Sequence, residues 1–129
     1  MVYTFITEHL LYLSEYLYNS SFDSNNYDLQ CIYRTIINRS YYAAYLYARE
    51  WVFQNGKYHN LENYVIGTTG VHKALIIALN KLKQYKIASK LNEFKSLRVT
   101  ADYKIVNIIT LDDANKSLEL ANEIINNLK

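Results

Sequence analysis

The chain has no proline, three glycines, one cysteine and one tryptophan among its 129 residues. Each scarcity excludes something. A sheet protein needs turn residues roughly every 8–12 positions, and this composition does not supply them, so helices are favoured. With Cys31 as the sole cysteine, neither an internal disulfide nor a thiolate-rich metal site can form. Cys31 stands among Leu29, Ile32 and Ile36, where a buried, inert thiol is expected. The first residues lack the basic stretch and small-residue cleavage site of a secretory signal. No uncharged apolar run approaches the roughly 18 residues of a membrane span. A cytoplasmic location without membrane association is the expectation.

Familiar catalytic signatures are absent too. Nothing matches a Gly-rich phosphate loop, a Gly-x-Ser-x-Gly elbow or a His-Glu-x-x-His zinc helix. His9, His59 and His72 fall in three separate segments without ligand spacing, so neither metal nor cofactor is expected. His72, at the start of a helix, reads as a helix-terminal or surface histidine.

What the chain does have is apolar and aromatic. Half of it is hydrophobic and 15% aromatic, with 14 tyrosines. That is enough for one continuous core in a single domain over residues 1–129. The net charge of +2 is unevenly spread. Residues 72–108 carry eight Lys/Arg against two Asp/Glu, a local +6, while the segments on either side are each −2.

Apolar spacing divides the chain into five helices. The first spans about Tyr3 to Asn19 on a stripe of Tyr3, Ile6, Leu10, Leu13 and Leu17. A polar loop over 19–28 ends at Asp28, a potential cap. The second helix, about Leu29 to Gln54, is apolar on several sides, as a central helix or one carrying a subunit interface would be. Residues 55–70 hold all three glycines and form the longest loop. A short third helix follows from about Thr69, a fourth spans about Gln84 to Val106, and a fifth begins after Thr110. Thr110 and Asp113 form a variant capping box. The expected architecture is an all-α antiparallel bundle of four to five helices.

Within the fourth helix, LRVTADYK (97–104) places a guanidinium on the apolar stripe. Counting roughly 100° per residue from Ile87, Leu91, Phe94 and Ala101 cluster around zero, and Arg98 lies among them with Asp102 beside it. Three readings fit. The Arg98 stem packs while its head reaches solvent or pairs with Asp102; the two form a buried pair that fixes register; or this face borders a cleft where the planar fork of Arg98 meets a phosphate. Arg39 in the second helix, between Ile32, Ile36 and Ala43 with Tyr42 three residues on, reads as another arginine within an apolar surface.

The segments NRSYYAAY (38–45), TTGVHKAL (68–75) and SLRVTADYK (96–104) together resemble the HEPN superfamily, small helical domains of prokaryotic toxin–antitoxin and phage-defence systems. The resemblance covers roughly residues 34–106. It implies a helical bundle that commonly dimerises. In active members an arginine and a histidine four to six residues apart form a metal-independent ribonuclease site across the dimer. By position Arg98 is that arginine, but Tyr103 stands where the histidine would be, and phenols, with ordinary pKa near 10, are poor general bases.

RNA cleavage by 2′-hydroxyl attack needs a base, a cation for the phosphorane and an acid for the leaving oxygen. Arg98 suits the cation; Asp102, His72 or a group from a partner subunit would be the base; Lys95 and Lys104 would hold flanking phosphates. The candidate catalytic residues are thus Arg98, Asp102 and Tyr103, with Arg39, Tyr42, His72, Lys95 and Lys104 as substrate contacts. The expected partners are RNA and a second copy of the chain. The alternative is a non-catalytic module that dimerises and docks a cognate nucleotidyltransferase-type antitoxin.

Overall fold

Local chemistry sets the helix boundaries. The computed structural model describes residues 6–20, 28–56 and 70–129. Within them the chain forms α1 (Glu8–Asn19), α2 (Leu29–Gly56), α3 (Val71–Lys81), α4 (Tyr85–Tyr103) and α5 (Leu111–Leu128). Asp28 caps α2, its Oδ1 accepting from the Gln30 amide at 2.8 Å. Thr110 and Asp113 close a reciprocal capping box on α5: the Asp113 amide donates to Thr110 Oγ1 at 3.1 Å, and the Thr110 amide donates to Asp113 Oδ2 at 2.9 Å. The all-α bundle expected from the apolar spacing is therefore what the described residues form.

Two helix ends depend on geometry that periodicity does not show. α3 stops in a left-handed residue, Lys83, with φ of 63°. The next amide, on Gln84, donates back to the Leu79 carbonyl at 2.8 Å, which satisfies a terminal acceptor of α3. α4 was expected to reach Val106 but ends at Tyr103. Arg34 of α2 stops it. Its Nη1 donates to the Ala101 carbonyl at 2.8 Å, and its Nη2 donates to the Asn107 carbonyl. Both nitrogens also lie 3.4 Å from the Lys104 carbonyl. A fixed cation at a helix C-terminus satisfies orphan carbonyls and complements the helix dipole.

α2 is the central helix and packs against each of the other four. Ala43, Ala44 and Ala48 are fully buried on it, and such small residues let neighbouring helices approach closely. Tyr41, Leu75, Leu91, Phe94 and Ile124 are among the large side chains that close the core.

Some expectations need correction. Tyr3, at the start of the first expected helix, lies outside the described residues. The buried face of α1 carries Leu11 and Ser14, with Leu10, Leu17 and Tyr18 packed beside them. Leu13 and Ile6, assigned to that stripe, are each 47% exposed, because the face that meets α2 is rotated from the one read from the sequence. Cys31 is exposed rather than buried: it sits in the first turn of α2, beside a surface cleft rather than in the bundle. Arg39 is exposed as well.

Two substitutions test this account by urea denaturation. Lys83→Gly removes the left-handed penalty and should raise stability by about 1 kcal/mol. Arg34→Met should lower it by about 2 kcal/mol, the range for hydrogen bonds made by a charged group.

Candidate functional site

Arg98 is 7% exposed, and its charge is compensated in two ways. Along α4, Nη1 donates to Asp102 Oδ2 at 3.3 Å. The guanidinium carbon also lies 5.2 Å from the centroid of Tyr41, 5.9 Å from Tyr42 and 5.8 Å from Tyr103. Tyrosine faces are electron-rich and attract a cation more strongly when water is excluded. Burial opposes the charge. The Asp102 hydrogen bond, Tyr42 and Tyr41 and the Asp102 charge together outweigh it, so the Arg98 pKa lies above its ordinary value. Within the first reading of LRVTADYK, the head pairs with Asp102 rather than reaching solvent.

One buried Arg98 nitrogen remains unused. Its Nε is buried and has no hydrogen-bond partner among the described residues. An orphan buried N–H is uncommon and marks either strain or a place for a ligand atom.

Asp102 is fixed from the other side by α2. Asn38 Nδ2 donates to its Oδ2 at 3.0 Å and lies 3.3 Å from its Oδ1. Asp102 thus joins Arg98 to a cleft of about 720 Å³ between the first half of α2 and the 101–108 segment. Arg34, Arg39 and Asn38 line that cleft with Ile105 and Val106. Arg39 lines this cleft and is exposed, rather than occupying an apolar surface inside the bundle as expected.

His72, expected as a helix-terminal or surface histidine, lies in the first turn of α3 and is half-buried in a nest of α2 tyrosines. Its ring centroid is 4.4 Å from that of Tyr45, 5.5 Å from Tyr41 and 6.1 Å from Tyr42. Its Nδ1 lies 2.6 Å from the Tyr41 hydroxyl. Burial first, then the charges of Arg98 and Lys95, pushes the His72 pKa below its ordinary value. Burial likewise drives the Tyr41 phenol far above its own, with Arg98 opposing and Tyr45 and Tyr42 reinforcing.

The structure therefore gathers Arg98, Asp102, Tyr103, Tyr42 and His72 about one set of rings, while Lys95 lines a separate cleft between α3 and α4. Lys104 is not gathered with them through its side chain, which is exposed while its carbonyl belongs to the Arg34 clamp. His59 lies outside the described residues. Among the described residues no group of His, Cys, Asp and Glu is placed to hold a metal ion, and no helix is long and apolar enough to cross a membrane.

Sequence reading missed Gln30, Arg34 and Asn38. Gln30 pairs with Ile109 through both backbone groups, donating to its carbonyl at 2.6 Å and accepting from its amide at 2.9 Å. The three recur at i, i+4 and i+8, a polar ridge on a largely apolar helix. That spacing was the available signal. Tyr41 was not singled out either, although a fully buried hydroxyl requires a partner.

Residues 19–129 match the sequence profile of the HEPN domain. An uncharacterized protein of Methanocaldococcus jannaschii, MJ0628, is 30% identical over 105 residues, covering 74% of this chain and 61% of that protein. The chain thus spans about three fifths of that relative's length. No solved structure matches.

The depressed His72 pKa carries a sign. The unfolded ring takes up a proton near pH 6.5, while the folded ring resists until lower pH. The His72 contribution to stability is complete above pH 6.5 or so and declines as pH falls from there towards the folded value. Urea titrations at pH 7.5 and 5.5 should show a smaller acid-side loss in His72→Gln than in the wild type.

Proposed function

This chain belongs to the HEPN domain family, and on that premise we propose that it acts on RNA as a metal-independent endoribonuclease of a toxin or phage-defence system. The observation that carries this reading is Arg98. A guanidinium held by Asp102 and three tyrosine faces, with its buried Nε unpartnered, is a preorganised cation. Such a group stabilises the charge of a phosphorane without reorganising during the reaction. By the resemblance of LRVTADYK it takes the place of the arginine of active HEPN members.

The neighbours have matching roles. Asp102 borders the open cleft and takes the 2′-hydroxyl proton as the 2′,3′-cyclic phosphate closes, the departing 5′-oxygen taking its proton from water, while Arg98 and Asn38 hold the carboxylate in place. Tyr103 is 70% exposed beside Arg98, so its ring is available to stack on an unpaired base, a contact worth about 1–3 kcal/mol. Lys95, Lys104 and Arg39 supply the surrounding positive charge for the phosphate chain.

The active form in this reading is a homodimer. Ile105, Val106 and Ile108 are 84%, 89% and 81% exposed, and they lie beside the Asp102 cleft. Apolar clusters of this kind mark association surfaces, and an isologous contact there sets two copies of the site at one seam. Tyr103 in place of the histidine favours a second reading, a non-catalytic module that docks a partner such as a nucleotidyltransferase-type antitoxin.

The test is cleavage of labelled RNA in EDTA. Wild type should cut, and Arg98→Ala should lose about 100-fold or more, the usual effect of removing a transition-state donor. Equal cleavage by the two proteins, or none by wild type, overturns the catalytic reading in favour of the module. By light scattering the wild type should be a dimer, and Val106→Lys should shift it towards monomer.

A further inference from the structure

α3 and α4 are joined by a short turn and run back alongside each other. One face of each is left open between them. On α3 this face carries Lys73, Ile76, Ile77 and Asn80. On α4 it carries Tyr85, Ala88, Asn92 and Lys95. Each set keeps the three-four spacing of a single helical face. Together they line a cleft of about 350 Å³, separate from the one beside Asp102. That volume is at the lower end of small-ligand sites, which run from about 300 to 1,000 Å³.

The lining is sorted along the length of the cleft. Asn80 and Tyr85 stand at the turn between the helices, and Lys73 and Lys95 stand at the opposite end. At roughly 1.5 Å per residue the two ends lie about 10–15 Å apart. The half-buried Ile76 and Ile77 and the buried Ala88 make an apolar floor between them. Tyr85 is 62% exposed, so its ring is open to a ligand. Neither lysine ammonium is paired with a carboxylate among the described residues.

Charge selects an anionic occupant. Residues 72–108 hold two carboxylates, Glu93 and Asp102, and neither lines this cleft. Glu93 pairs with Lys116 of α5 at 2.8 Å, and Asp102 pairs with Arg98 at 3.3 Å. Glu123 of α5 also takes up Lys90, so α5 neutralises its own side of α4 and leaves the α3 side positive. Two lysines without a carboxylate beside them fit a phosphate chain, and an open tyrosine ring over an apolar floor fits a base. A duplex keeps its bases paired and stacked, so the base must come from a single strand. Lys95 links the cleft to the Arg98 cluster, because its charge reaches His72.

We propose that the α3–α4 cleft is a subsite for one unpaired nucleotide of RNA, its base stacked on Tyr85 with the Asn80 and Asn92 amides for its polar edge, and its phosphate on Lys73 and Lys95. The proposal rests on the RNA reading of the Arg98 site and narrows its substrate to single-stranded RNA. The lysine end lies towards His72, so the strand leaves the cleft in the direction of the Arg98 cluster. The subsite therefore reads a base away from the scissile bond, and the chemistry stays with Arg98 and Asp102.

A fluorescein-labelled, fully 2′-O-methylated RNA oligonucleotide, which cannot be cut by 2′-hydroxyl attack, tests the subsite apart from cleavage. By anisotropy Tyr85→Ala should weaken binding by about 10-fold, within the range for one stacked base, and Tyr85→Trp should stay within about 3-fold of wild type. Tyr85 is exposed, so circular dichroism of both variants should match wild type. Lys73→Gln and Lys95→Gln should each reduce the slope of log Kd against log salt by about 0.7, as for one lost single-strand phosphate contact. Tyr85→Ala should leave that slope unchanged.

No binding by wild type, wild-type affinity in Tyr85→Ala, equal loss in Tyr85→Ala and Tyr85→Trp, or an unchanged slope in both lysine variants overturns the proposal. So does displacement of the oligonucleotide by an equal concentration of oligo-glutamate, which would mark the cleft as a surface for an acidic protein segment. The expected binding in a protein that never cleaves RNA leaves the subsite standing and defeats the nuclease reading alone. Cleavage by wild type together with full affinity in Tyr85→Ala defeats the subsite alone.

Discussion

A guanidinium charge removed from water must be compensated on every side, and the architecture around α4 follows from that constraint. Burying an ion carries a penalty that one salt bridge seldom offsets. Arg98 is served instead by a carboxylate along its own helix and by tyrosine faces from α2 and α4. Each of these groups is then held in turn. Asn38 fixes Asp102, and His72 takes the Tyr41 hydroxyl. The charge thus organises residues from α2, α3 and α4 into one cluster.

α2 is the helix on which the cluster is built, and its two sides do different work. One side carries Tyr41, Tyr42 and Tyr45 towards Arg98 and His72. The ridge of Gln30, Arg34 and Asn38 meets the end of α4 and the segment beyond it, holding Ile109, the terminal carbonyls and Asp102 in turn. By stopping α4 at Tyr103 this ridge keeps residues 104–110 out of the helix, and the apolar side chains of Ile105, Val106 and Ile108 face outward beside the cleft. The cleft and the apolar strip are therefore products of the same capping chemistry that terminates the helix.

Much of this was legible before any coordinates. Apolar residues on several sides of α2 left a central helix or an interface helix as its two readings, and Thr110 and Asp113 marked the start of α5, because both signals are local to one helix. Arg98 stood out for the same reason, as a charge on a stripe that otherwise buries apolar groups. The errors share a cause. Arg39 and Cys31 also sit beside apolar positions on α2, yet both are exposed. Apolar neighbours along a helix indicate a direction, but not whether another helix lies there.

The sequence by itself determined the five helices, the central role of α2, the concentration of positive charge in 72–108 and the anomaly at Arg98, since each is written in spacing and composition along one chain. Only the tertiary structure decided that Arg98 is enclosed by tyrosines, that Tyr41 meets His72, and that Arg34 closes α4. Those contacts join residues 31, 57 and 67 positions apart, such as Tyr41 with His72, Tyr41 with Arg98 and Arg34 with Ala101. A helix's own periodicity fixes which side chains share a face. It carries no information about which face of another helix will be packed against them.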